Sequence, residues 1–404
     1  MSNDIETNYK SSLDCIIERE NKEFLRPVVV QNRDKYYLDL NNIKRSWVYP
    51  FNDYCNLFIQ EAEKQLFNAL MLFELGYFDC AFYSLRSAVD ISTTLVFLSD
   101  LPEEDREKYI DAWNKAKGFP IRSAMIEELS EKGRIFIDML NKMPGFFKNA
   151  KKISTKLNKY VHKQGFNNFY IYINHPLRKF DTNNFIKIFC RYLEKCIGVV
   201  AVMRLAIDPF PLLLMDEEIL FRCPYTAADP YTQNFAKEYI GEEMIEKYKT
   251  TNIYSTYYNA LIKREKMNEA LFDVAKHHYI NSNKINTMLD YLHLVFESDA
   301  ISILLVNASS KIVKVYCGNG IPFYFTDKNS KRISENICSE TFAVFLKSEN
   351  KINLKYDEAF ISVLSFNNIP YFIEHNELLS KEEYKGIADH INSNLPKHFR
   401  DENA

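Results

Sequence analysis

Between residues 53 and 99 the apolar side chains recur three or four apart. Leu66, Leu70 and Phe73 form one run, and Phe78, Phe82, Leu85 and Val89 form a second that continues to Val96. This spacing lines one face of a helix and does not alternate across the pleat of a strand. Gly76 separates the runs, Asp79 is placed to cap the second, and Pro102 stops it. The chain is therefore expected to fold around a helical hairpin. The same reading continues downstream. Helices are predicted over 103–117, from Pro120 to about Lys142, from Phe146 to about His162, and over 183–207, with Pro144-Gly145 as a break and an aromatic loop over 165–180. Together they make an all-α bundle over 53–207.

Residues 1–52 read as an entry segment. A short amphipathic helix is expected over 13–24. A small hairpin is expected where 28–30 and 36–40 flank Asn32-Arg33-Asp34. At Asp208-Pro209-Phe210-Pro211 each proline restricts its predecessor, which marks a boundary. Residues 208–296 are expected to be a helical extension, with 233–249 and 253–296 as its main helices. The last hundred residues change character. Apolar, β-branched runs at 301–306, 312–317, 361–366 and 369–373 predict strands, and Asn319-Gly320 and Asn367-Asn368 suit tight turns. Helices are expected over 334–347 and 381–394, the second opened by Ser380 and Glu383 at capping-box spacing. The fold class that follows is mainly α: a helical bundle, then a small α/β domain with an antiparallel sheet over 297–404, of sensor-like or docking type.

Composition narrows the function classes. With 10 glycines in 404 residues, Gly-rich phosphate loops and propeller repeats are not expected. The eight cysteines are scattered and none forms a CxxC pair, so neither a zinc site nor a disulfide framework is expected. His277 and His278 are adjacent and point to different faces of a helix, and His293 lies far along, so no metal site and no cofactor are assigned. The most apolar stretch, about 196–206, is too short to span a bilayer, and the first ten residues lack the apolar core of a signal peptide. A soluble cytoplasmic protein with no membrane partner is the expectation.

The formal charge of −3 hides an uneven distribution. From Gly145 to Lys195 there are eleven basic residues, Lys148, Lys152, Lys159, Lys163, Arg178 and Lys179 among them, against Asp181 and Glu194 alone. The block carries +9 and the rest of the chain −12. It also holds Phe146, Phe147, Tyr160, Phe166, Phe169, Tyr170 and Tyr172. Cationic side chains neutralise phosphates and aromatic rings stack on unpaired bases, so this composition suits single-stranded RNA or another anionic partner. A solvated helix face beside a Tyr/Phe core has the same composition.

Within the block, Ser154, Asn158 and His162 recur every fourth residue along the flank of an apolar stripe formed by Ile153, Leu157, Tyr160 and Val161. A histidine at the edge of a core can exchange protons near neutral pH. Here the sequence resembles the HEPN superfamily of bacterial helical-bundle proteins. The segment from Tyr77 to Asp90 is similar to the early helices of that family, and Leu157-Asn158-Lys159-Tyr160-Val161-His162-Lys163 is similar to its late helix, which ends on a histidine. The resemblance covers about residues 53–207. It implies homodimerisation, a setting in defence or stress response, and, in active members, RNA cleavage without metal. There the ribose 2′-OH is the nucleophile, a histidine does acid–base work, and an arginine four to six residues earlier holds the phosphate. Carried onto this chain, His162 takes the histidine's place and Lys156 stands where an arginine is found. Arg86 and Asp90, four apart on the second helix, would face Asn158 and His162. Lys156 lacks the guanidinium fork, and on the helical wheel it lies about 120° from His162. A non-enzymatic dimeric signalling or scaffold protein is therefore the alternative, its C-terminal domain resembling GAF or PAS ligand sensors in size and strand order.

Overall fold

The computed structural model describes residues 10–18, 25–45, 53–175, 181–318, 323–332 and 351–399. The chain divides into two compact units. The first is Met1–Leu220 with Thr226–Lys263, and the second is Phe221–Tyr225 with Arg264–Ala404. The segment 208–296 is thus shared between the units, and the division falls at Lys263 rather than at the proline-rich link. Among the described residues no helix is long and apolar enough to cross a membrane.

The first unit is helical. Residues 10–18 are helical with an exposed surface, and residues 19–24 of the expected N-terminal helix lie outside the described residues. The expected hairpin at 28–40 is instead helix α1, Arg33–Arg45. Tyr36, Leu40 and Ile43 recur at helical spacing and are all buried, Asp34 sits in the first turn, and Lys44 and Arg45 sit in the last. A buried stripe and favourable dipole charges outweigh the local strand-like composition.

The hairpin of long helices is present as α2, Asp53–Glu74, and α3, Phe78–Asp100. Gly76 turns between them with φ +91, where a side chain would be strained and would press on the backbone of Arg26. Asp79 does not cap α3, because the helix begins one residue earlier. Its carboxylate pairs with Lys163 at 3.1 Å. Helix α4 is Glu103–Asn114. The single helix expected up to Lys142 is broken at Gly133 into α5, Arg122–Lys132, and α6, Arg134–Lys142. The break is held by Asp100, whose carboxylate accepts the N–H groups of Ile135 (2.9 Å) and Phe136 (2.8 Å) at the start of α6. Helix α7, Pro144–Val161, and helix α8, Thr182–Leu205, complete the bundle, the latter capped by Asp181.

Aromatic stacking sets the packing of α2, α3, α7 and α8. Phe73 lies on Phe189 with centroids 3.8 Å apart, and Phe82 lies on Tyr160 at 4.0 Å. Tyr160 therefore belongs to the core of the bundle. Gly198 in α8 lets the chain at Tyr239 come close, since a Cβ there would collide with the Tyr239 carbonyl. The helix expected over 253–296 is also broken. It becomes α9, Asn252–Leu261, in the first unit, and α10, Glu269–His277, followed by strand β1, Tyr279–Ile280, in the second. His278 between them takes φ +52.

The second unit carries a six-stranded mixed sheet with strand order β1-β3-β2-β6-β5-β4. The strands are β2, Ile312–Cys317, β3, Phe323–Thr326, β4, Leu354–Tyr356, β5, Ala359–Phe366, and β6, Ile369–His375. Among the described strands only β1 against β3 is parallel. The predicted turn at Asn367-Asn368 closes the β5–β6 hairpin, with both residues at positive φ. The run 301–306, expected as a strand, lies in helix α11, Glu297–Ala308. Short apolar runs do not distinguish a buried strand from a buried helix by period alone. Here Asp299 in the first turn accepts the Phe296 N–H at 3.1 Å and fixes a helical start. Helix α12, Lys381–Asn394, begins with the predicted capping box of Ser380 and Glu383. The helix expected over 334–347 and the turn at Asn319-Gly320 lie outside the described residues.

Candidate functional site

The face of α3 that turns towards α7 carries a polar cluster. Arg86 donates from Nε to Asn158 Oδ1 at 2.6 Å and pairs with Asp90 one turn along its own helix. Arg122, at the first position of α5, completes the group. Its Nε donates to Thr93 Oγ1 at 3.0 Å and lies 3.6 Å from the same Asp90 oxygen, and its Nη1 donates to Ser154 Oγ at 2.9 Å. Thr93 Oγ1 in turn donates to the Val89 carbonyl at 2.8 Å. Two guanidinium groups therefore share one carboxylate oxygen, and Ser154 and Asn158 of α7 hold one arginine each.

Burial shapes the electrostatics. Desolvation lowers the Arg122 pKa to about 10. Desolvation and the charge of Arg122 lower that of Arg86 to about 10. Both guanidinium groups remain charged at neutral pH. Beneath them, burial pushes the Cys196 thiol up to about 12 despite the two arginines, so it is neutral. The cluster thus carries two positive charges and one negative charge. The side chains are 17% (Arg86), 11% (Arg122) and 35% (Asp90) exposed, so the carboxylate is the member most open to water.

Of the expected catalytic set, Arg86, Asp90 and Asn158 come together. The side chains of His162 and Lys156 do not join them by any hydrogen bond or ion pair among the described residues. His162 is the residue that ends α7, where its backbone N–H donates to the Asn158 carbonyl at 2.8 Å and its side chain is exposed. Lys156 is exposed.

Lys148, Lys152 and Lys159 are likewise exposed along α7, with Lys151 beside them. The opposite face of the helix buries Phe147, Ala150, Ile153, Ser154 and Leu157. Among the described residues, none of Lys148, Lys151, Lys152, Lys156 and Lys159 pairs with a carboxylate. By contrast, Lys115 and Lys247 are each matched by an acidic side chain four residues earlier in their own helix. Lys163 differs from the row. It takes φ +51, pairs with Asp79 and lies 5.2 Å over the Tyr83 ring. Burial lowers its pKa, and hydrogen bonds to Tyr83 and Asp79 outweigh that and raise it. Lys163 thus fastens the end of α7 to α3. Arg178 and Lys179 lie outside the described residues. Past α7, Phe166 and Phe169 are exposed by 72% and 39% with ring centroids 5.4 Å apart.

Arg122 is the member that the sequence reading missed. It lies three and seven residues before Met125 and Leu129, which are both buried, so helical spacing places it on the inner face of α5. An arginine on an inner face needs polar partners, and that was the available signal. Comparison of the chain with protein families, with curated proteins and with solved structures finds no match.

Proposed function

We propose that the helical bundle is a HEPN-like RNA-binding module that engages single-stranded RNA through α7 and the aromatic segment after it. The observation that carries this reading is the row of five exposed lysines on one helix, which pair with no carboxylate among the described residues. Uncompensated lysines release counterions when they meet phosphates, and exposed rings such as Phe166 and Phe169 offer stacking platforms for unpaired bases. The module belongs in a defence or stress-response setting and acts as a homodimer. In its enzymatic form it is a metal-independent endoribonuclease, with His162 in acid–base work, the ribose 2′-OH as nucleophile, and Arg86 on the phosphate.

Binding and cleavage separate cleanly in one experiment. Labelled single-stranded RNA is incubated with the protein in chelator, beside His162→Ala and a variant with Lys148, Lys152, Lys156 and Lys159 all changed to Gln. The lysine variant is expected to weaken binding and to flatten the dependence of affinity on salt by about 0.7 in log–log slope per lysine that contacts a phosphate. Affinity that ignores salt would sink the RNA reading. Cleavage by the wild type that is lost in His162→Ala supports the enzyme, and absence of cleavage by the wild type removes it.

A second reading is favoured by two observations. Lys156 stands where the resembling family has its arginine, and the His162 ring has no hydrogen-bond partner among the described residues to orient it. On this reading the bundle is a non-enzymatic dimeric scaffold, and the C-terminal unit senses a ligand or docks a partner. Light scattering at micromolar concentration tests the dimer, and a monomer would count against both forms.

A further inference from the structure

The Arg86–Arg122 cluster has more positive charge than its own residues neutralise. One Asp90 oxygen serves both arginines, and the other groups that hold them, Asn158, Ser154 and Thr93, are neutral. Cys196 adds no charge. The Nη2 groups of both arginines make no hydrogen bond among the described residues, and neither is among the buried polar atoms that lack a partner. The Arg86 and Arg122 side chains keep 17% and 11% of their surface exposed. Two guanidinium groups held through Nε and Nη1, with Nη2 donors left over and a single positive charge in excess, match the needs of a tetrahedral dianion or a phosphodiester.

We propose that Arg86 and Arg122 form a seat for one phosphate group, and that Asp90 is the resident anion that phosphate displaces. Asn158 and Ser154 of α7 and Thr93 of α3 are positioning residues. They hold Arg86 through Nε and Arg122 through Nε and Nη1, so that little side-chain entropy is lost when the anion arrives. Asp90 has the most exposed side chain of the three charged groups. Its charge sets the affinity: while it is present the seat competes with an internal carboxylate, and without it both arginines are free. The proposal deepens the RNA-binding reading and rests on it for the carrier of the phosphate, though not for the seat itself.

The test is calorimetric titration of inorganic phosphate into the full-length protein at fixed ionic strength, for the wild type, Arg122→Gln and Asp90→Asn. Saturable binding of one phosphate per chain is expected. Arg122→Gln should weaken it at least about tenfold, since a charge-assisted contact is lost. Asp90→Asn should tighten it at least about threefold, because the competing charge is gone. A gain in affinity cannot be produced by misfolding, so the second variant keeps the test decisive if the first unfolds. Equal affinity in the wild type and Asp90→Asn, or no saturable phosphate binding in either, overturns the proposal. A second arm titrates a short single-stranded RNA into the same proteins and into the four-lysine variant. If phosphate binding follows the predicted order while RNA affinity ignores both Arg122 and the lysines, the seat stands for a free phosphate ligand and the RNA reading falls. If RNA affinity follows the lysines while phosphate binding ignores Asp90 and Arg122, the RNA reading stands and the seat falls.

Discussion

Arg204 shows how a single residue is tolerated deep in this bundle. Its side chain is fully buried at the end of α8 and pairs with Asp208 at 2.8 Å, four residues on. It also donates to the Asp208 carbonyl at 3.2 Å. The other carboxylate oxygen of Asp208 accepts the Phe210 N–H at 2.7 Å, which lets the chain turn through the two prolines. The pair therefore secures both the end of a helix and the link after it. Replacing Asp208 with Ala leaves an uncompensated buried charge and should cost about 3–5 kcal/mol, read as a drop in the urea midpoint. The double change Arg204→Met with Asp208→Leu should recover much of that loss, because an apolar pair avoids the desolvation of both ions. The same logic separates Arg204 from Arg86 and Arg122. Arg204 meets its own counter-charge in full, whereas those two share one.

At the scale of elements, local sequence is strongest where a backbone conformation is demanded. The β5–β6 turn requires positive φ at two successive residues, and Asn367 and Asn368, at +47 and +59, are among the few residue types that accept it. Asn368→Val should destabilise the chain by about 1–2 kcal/mol through the left-handed penalty, whereas Asn368→Gly should be neutral or stabilising. Thermal unfolding of the two variants side by side measures the difference. The Ser380–Glu383 box was legible for the same reason, since capping is chemistry between near neighbours. Elements were misread where distant partners decided them. The run 301–306 has strand composition and became a helix because Asp299 anchors its start with hydrogen bonds from Tyr225 and Tyr324, at 2.5 and 2.8 Å. Those donors lie 74 and 25 residues away in the chain. The break at Gly133 likewise depends on Asp100, a residue of another helix.

At the scale of the whole molecule, stability has a pH dependence written into the second unit. His375 is fully buried, with Nδ1 2.7 Å from the Glu377 carbonyl and Nε2 2.9 Å from Ser362 Oγ. A carbonyl only accepts, so Nδ1 carries the proton and Nε2 accepts from the serine, whose oxygen takes the Asn353 N–H at 2.9 Å. The neutral ring is fully satisfied, and a second proton would leave this relay without its acceptor. Burial first, then the charge of Lys311, lowers the His375 pKa below its ordinary 6.5, against the opposing Glu377 carbonyl, Glu374 and Glu383. The unfolded chain thus binds a proton that the folded chain refuses. Its contribution to stability is complete above pH 6.5 and is lost as pH falls from there towards the lowered folded value. His278, lowered chiefly by burial, acts in the same direction, while Asp299, raised chiefly by burial, acts in the opposite one. The wild type should lose more stability between pH 7.5 and 5.5 than His375→Gln does, measured by urea unfolding at the two pH values. Equal losses would show that His375 is not the titrating group.

The amino-acid sequence by itself determined the helical hairpin, the Ser380–Glu383 capping box, the Asn367-Asn368 turn, and the change from helices to strands near the C-terminus. Each of these rests on a period of 3.6 or 2, or on interactions between residues a few positions apart. It also placed the basic row on α7, because charge and spacing are both local. Tertiary structure alone decided which polar residues meet. Arg122 meets Thr93 and Ser154, 29 and 32 residues away, and Arg86 meets Asn158, 72 residues away, while the side chain of His162, four residues from Asn158, stands outside these hydrogen bonds. A buried arginine takes whatever acceptors packing presents to it, and packing is settled by the whole apolar surface of the bundle rather than by any short stretch of chain.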